Sequence, residues 1–200
     1  MLYQFAKALL KVFVSLWFRW EVVGGEKLPN QGPVVLAANH ASLWDPVMVG
    51  IALPRKVHYM AKEELFRIPL FGQVLHPLGA FPVKRGKSDR AALKTGVNVL
   101  KEGKVLGLFP EGSRTKDGTL MEFQPGAGLL ALKGNAPIVP VALKGTFKMG
   151  LRFKRKVFIV VGDPIYLDDF KESTRISSKE LAQAMSELRS NICKMMTERT

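Results

Sequence analysis

A histidine and an aspartate five positions apart, His40 and Asp45, follow the apolar run Val34–Ala38. A carboxylate bound to one imidazole nitrogen fixes the tautomer and raises the basicity of the other nitrogen, which suits a general base at neutral pH. On one continuous helix the two side chains would lie about 140° apart and could not meet. The local signals argue against such a helix. Asp45-Pro46 reads as an N-cap followed by proline at the first helical position, which leaves His40 in a strand-to-helix loop. These residues alone equally fit a helix cap beside an incidental histidine.

A second polar cluster, Phe109-Pro110-Glu111-Gly112-Ser113-Arg114-Thr115, follows the apolar run Val105–Leu108. In an α/β sheet, ligand-binding loops sit at the carboxyl ends of strands. Gly112 permits close backbone approach, and Arg114 offers a planar fork suited to phosphate. His58, inside a β-like run, and His76, next to Pro77, read as structural, and the three histidines lack metal-site spacing. G-x-S-x-G is absent, so a serine-hydrolase elbow is not supported. The single Cys193 excludes an intramolecular disulfide and suits a reducing compartment.

These clusters need a frame, and apolar runs alternating with helical patterns supply one. Strands are expected at Val34–Ala38, Lys56–Ala61, Ala80–Val83, Val105–Phe109, Ile138–Leu143 and Lys156–Val161. Helices are expected at Pro46–Leu53, Ser88–Glu102 and Gly126–Lys133, with a last one opened by the capping box Ser177-x-x-Glu180. The alternation predicts an α/β fold, a mostly parallel or mixed central sheet flanked by helices.

The chain has 200 residues, 47% hydrophobic and 24% charged, with a net charge of +13. That composition excludes a disordered chain and favours an anionic partner. Residues 2–20 read as an amphipathic helix, with Gln4, Lys7, Lys11, Ser15 and Arg19 in an arc of roughly 120° and Phe5, Leu9, Phe13, Leu16 and Trp17 elsewhere. Two mid-segment lysines argue against a membrane span, and no small-residue cleavage site follows. A helix lying in a membrane interface fits better than one packed on its own domain. The expected organisation is a membrane-associating helix over 1–21 and one domain over 22–200.

Taken in order, Asn39-His40-Ala41-Ser42-Leu43-Trp44-Asp45-Pro46, Val83-Lys84-Arg85, Phe109-Pro110-Glu111-Gly112-Ser113-Arg114 and Val139-Pro140-Val141 resemble the four blocks of the glycerolipid acyltransferase family. The resemblance is strongest to its bacterial members that acylate 1-acyl-sn-glycerol 3-phosphate. It implies that His40 is a general base oriented by Asp45, that Arg85, Arg114 and Lys62 hold the acceptor's phosphate, and that Glu111 and Gly112 bind the acceptor. Pro140 would shape the acyl-donor side. Lys84 departs from the family, standing where an acidic residue is common, and the apolar N-terminus is shorter than in multi-span relatives. The implied reaction moves an acyl group from acyl carrier protein or coenzyme A to the sn-2 hydroxyl of lysophosphatidic acid, with no tightly bound cofactor and no metal. The implied location is the cytoplasmic face of the membrane, as a peripheral or monotopic protein on anionic lipid. The rival class is a nucleic-acid-binding protein, suggested by Lys84–Lys87 and Arg152–Lys156, but no nucleic-acid-binding signature accompanies those runs.

Overall fold

β2 (Val34–Ala38) is apolar at every position and buried along its whole length, as a strand at the centre of a parallel sheet must be. The computed structural model, which describes residues 2–84, 89–170 and 176–198, builds a seven-stranded sheet around it. The other strands are β1 (Arg19–Val23), β3 (Val57–Lys62), β4 (Ala80–Val83), β5 (Val105–Leu108), β6 (Ile138–Lys144) and β7 (Lys156–Val161). Their order across the sheet is β1-β7-β6-β2-β5-β3-β4. All neighbours run parallel except β6 and β7, so the sheet is mixed.

The strand pleat divides the core into two layers. Val34, Leu36 and Ala38 face one side, towards α1 (Leu2–Trp17) and α2 (Asp45–Ala52). Val35 and Ala37 face the other, towards α4 (Arg90–Lys101), α5 (Gly126–Gly134) and α6 (Ser178–Thr197). Two of the helix starts follow from side-chain capping. Asp89 accepts from the Ala92 amide at 3.0 Å to open α4, and Ser177 with Glu180 forms the expected capping box of α6.

The N-terminal segment differs from the expected helix over 2–20. α1 stops at Trp17, and Arg19 and Trp20 belong to β1, paired with Lys156 and Val157 of β7. A boundary after residue 21 therefore falls inside a sheet strand. The half-buried, alternating β1 hid behind the helical period of the residues before it. Unexpected too are a 3₁₀ turn at Glu63–Arg67 and the short α3 (Phe71–Leu75), which link β3 to β4.

α1 has three faces. Val14 is fully buried against the domain, with Leu10 and Trp17 packed beside it. Lys7 reaches in to the Leu53 carbonyl rather than out to solvent, and burial together with nearby Lys11 lowers its pKa. Outward, Leu2, Phe5, Leu9, Val12, Phe13 and Leu16 are 40 to 74% exposed and gather in an arc of about 100°. A surface helix of a soluble domain turns such an arc inward. No helix among the described residues is long and apolar enough to cross a membrane.

Candidate active site

Because β2, β3, β4, β5 and β6 run the same way, their carboxyl ends share one edge of the sheet. The loop after β2 carries His40, the end of β3 carries Lys62, and the loop after β5 carries Glu111, Gly112 and Arg114. Arg85 follows β4 but lies outside the described residues.

His40 and Asp45 meet. His40 Nδ1 is 2.9 Å from Asp45 Oδ2, and the Asp45 side chain is fully buried while that of His40 is 10% exposed. The same Oδ2 accepts from the backbone amides of Ala41 and Ser42, each at 2.7 Å. Asp45 is thus not the N-cap expected from Asp45-Pro46. It is the first residue of α2, and its carboxylate folds back over the preceding loop rather than forward onto the helix. That reversal is what brings it under the imidazole. With Nδ1 committed to the carboxylate, Nε2 is the nitrogen left to exchange a proton with a substrate. Ser42 Oγ accepts from the Trp44 amide at 3.2 Å and so is engaged in the turn into the helix.

Glu111 is buried, and both of its oxygens are occupied by backbone. Oε1 accepts from the His40 amide at 2.5 Å and Oε2 from the Met121 amide at 3.0 Å. The Thr115 amide donates to the His40 carbonyl at 2.9 Å, so the β5 loop grips the histidine's backbone on both sides. Burial pushes the Glu111 pKa above the ordinary carboxylate range, and the two amide bonds oppose this without cancelling it. Gly112 closes the turn, its amide bonded to the Phe109 carbonyl at 3.0 Å with φ of 72°. Any side chain there would be strained whatever the space around it.

Sequence reasoning missed three residues. Asn39 extends β2 with its side chain, donating to the Leu143 carbonyl and accepting from the Leu143 amide, 3.1 and 2.7 Å. Phe109 stacks on the His40 ring at 4.1 Å and 20°, with Tyr59 parallel beyond it at 6.1 Å. Thr115 grips His40 and also anchors Asp117, whose pKa falls to about 2 under hydrogen bonds from Thr119 and Thr115. A polar residue directly after a buried run was the only available signal for Asn39.

Two of the three residues expected to hold phosphate, Arg114 and Lys62, fall among the described residues. Arg114 is exposed and makes no ion pair among the described residues. Lys62 pairs with Glu64 at 3.2 Å. Pro140 is buried inside β6 opposite Ala37. A proline fits this interior position because its backbone side faces residues 162–165, where β7 has ended; its carbonyl accepts there from the Gly162 amide. No group of three or more histidine, cysteine, aspartate or glutamate side chains forms a metal cage among the described residues.

An acyltransferase family model matches residues 19–144, which contain all four blocks and every strand but β7. The chain belongs to the acyltransferase family. It is 36% identical over 188 residues to a Bacillus subtilis 1-acyl-sn-glycerol-3-phosphate acyltransferase, covering 93% of this chain and 92% of the relative. A Streptococcus pneumoniae protein of the same name is 32% identical, with 86% of this chain and 66% of the relative covered. The crystal structure of the Thermotoga maritima 1-acyl-sn-glycerophosphate acyltransferase PlsC superposes with a TM-score of 0.79 at 25% identity, covering 99% of this chain and 81% of that one.

Proposed function

We propose that this acyltransferase moves an acyl group from a thioester to the sn-2 hydroxyl of 1-acyl-sn-glycerol 3-phosphate, giving phosphatidic acid. The observation that carries the reading is the His40–Asp45 pair, 2.9 Å apart with the carboxylate sealed from solvent. The names borne by the Bacillus and Streptococcus relatives support this acceptor.

His40 Nε2 removes the hydroxyl proton as the oxygen attacks the thioester carbonyl. Asp45 stabilises the imidazolium that forms, and its two amide bonds keep it from rotating away. Collapse of the tetrahedral intermediate breaks the carbon–sulfur bond, and the imidazolium returns its proton to the departing thiolate. Arg114, Arg85 and Lys62 attract the acceptor's phosphate and hold the hydroxyl near the base. Glu111 acts as a strut for the histidine's backbone. The exposed apolar face of α1 lies on anionic membrane at its cytoplasmic side, where the acceptor is embedded.

The test offers full-length protein 1-acyl-sn-glycerol 3-phosphate, other lysophospholipids and glycerol 3-phosphate, each with acyl carrier protein or coenzyme A thioesters. Products are read by mass spectrometry. Phosphatidic acid formed from the first acceptor is the expected result. Conversion of a different acceptor, with the first left untouched, would overturn the reading.

A further inference from the structure

On the layer opposite α1, helices α4 and α5 frame an open groove of about 660 Å³. Its apolar lining comes from Leu93 and Val97 of α4 and Leu129 of α5. Four cations join them, Arg90, Lys94 and Lys101 from α4 and Lys133 from α5, and no carboxylate among the described residues lines the groove. Each of the four is exposed, and none forms an ion pair among the described residues. The acids that flank α4 in sequence are occupied elsewhere. Asp89 caps α4 and Glu102 pairs with Lys104.

The spacing has a shape. Arg90, Lys94 and Lys101 lie at i, i+4 and i+11, within about 40° of one another on the helix and along roughly 16 Å of its length. Leu93 and Val97 run beside them on the side towards α5. A row of cations parallel to a row of aliphatic side chains complements one thing well: an amphipathic helix with carboxylates about one turn apart. A membrane is a poor fit, because the apolar arc of α1 lies on the other layer of the sheet. Both α4 and α5 begin at the sheet edge that carries His40, so one end of the groove opens towards the site.

We propose that this groove docks the donor in the form of a carrier protein, seating an acidic helix of the protein that bears the acyl thioester. The proposal rests on the acyl-transfer reading and adds to it which donor is used and where it binds. Once docked, the carrier delivers its thioester arm over the groove's upper end to His40, while the acceptor comes from the lipid side.

The experiment compares full-length wild type with Lys94→Glu/Lys133→Glu, and with a reversal of equal charge on α6, Lys179→Glu/Lys194→Glu. Direct binding of acyl carrier protein is measured by fluorescence anisotropy, beside steady-state kinetics with acyl carrier protein and coenzyme A thioesters of one chain length. The groove variant is expected to weaken carrier binding and raise the KM for the carrier thioester by about tenfold or more, leaving the KM for any coenzyme A thioester turnover unchanged. The α6 variant should match wild type. Absence of carrier binding by wild type, equal loss in both variants, or equal KM increases for both donors would overturn the proposal. Carrier binding that depends on the groove but leads to no acyl transfer would sustain the docking site and sink the acyl-transfer reading. A groove that binds a nucleic-acid duplex and not the carrier would overturn the docking site in favour of the other class of partner.

Discussion

At His40 the main chain and the side chain do separate work. The backbone is gripped by Glu111 and Thr115, while the ring is bonded to Asp45 and stacked on Phe109. His40→Ala therefore keeps the grip and loses the ring. Turnover should fall by about 10²–10⁴, with a stability cost near 1 kcal/mol from the lost stack. A folded His40→Ala protein with near wild-type rates would remove the base from the mechanism. Glu111→Gln behaves differently, because an amide has one acceptor oxygen where the carboxylate uses two. Its NH2 group would face a backbone N–H, a loss of about 1–3 kcal/mol. The pH dependence has a definite sign. With its folded pKa raised, Glu111 in the native chain keeps a proton that the unfolded chain has released once pH passes the ordinary value near 4.5. Its contribution to stability therefore falls as pH rises through that window. The stability advantage of wild type over Glu111→Gln should shrink over the same range in thermal melts. An advantage that grew with pH would contradict the burial of this carboxylate.

The second to seventh strands were legible because each is a short, largely apolar run bounded by turns, and α6 because its capping box is local in sequence. β1 was not legible, since Arg19–Val23 takes its meaning from β7, over a hundred residues away. The strand, loop and proline around His40 allowed its contact with Asp45 without deciding it, and the N-cap they suggested for Asp45 was not formed. Asn39, Phe109 and Thr115 were not, because each acts through a partner that only the fold brings close. The period of α1 revealed two kinds of face but not which one packs. That assignment has a measurable consequence. Phe5→Ser/Leu9→Ser/Leu16→Ser changes side chains 60 to 74% exposed, so thermal stability should hardly move while flotation with anionic liposomes is lost. Val14→Ala, fully buried, should cost about 2 kcal/mol and leave flotation intact in the folded protein. The reverse pattern would mean that α1 is only a packing helix.

Across the whole molecule, the proposed reading puts the two sources of substrate on opposite layers of the sheet. The apolar arc of α1 marks one layer, the basic α4–α5 groove marks the other, and the catalytic pair stands at the edge between them. On that reading both substrates are present at once, and direct attack by an acceptor hydroxyl deprotonated by His40 needs no intermediate on the protein. The candidate nucleophiles agree. Ser42 is engaged with the Trp44 amide, Ser113 is exposed beside a buried Glu111 whose oxygens are taken, and Cys193 lies exposed on α6. None is hydrogen-bonded to a base among the described residues, which a serine or cysteine nucleophile requires. The chain should therefore form a ternary complex and transfer the acyl group directly. Double-reciprocal plots at several fixed concentrations of the second substrate should intersect. Protein incubated with labelled thioester alone and then denatured should carry no label. Parallel lines, or a labelled serine or cysteine recovered by peptide mapping, would show instead that the acyl group rests on the enzyme between two half-reactions.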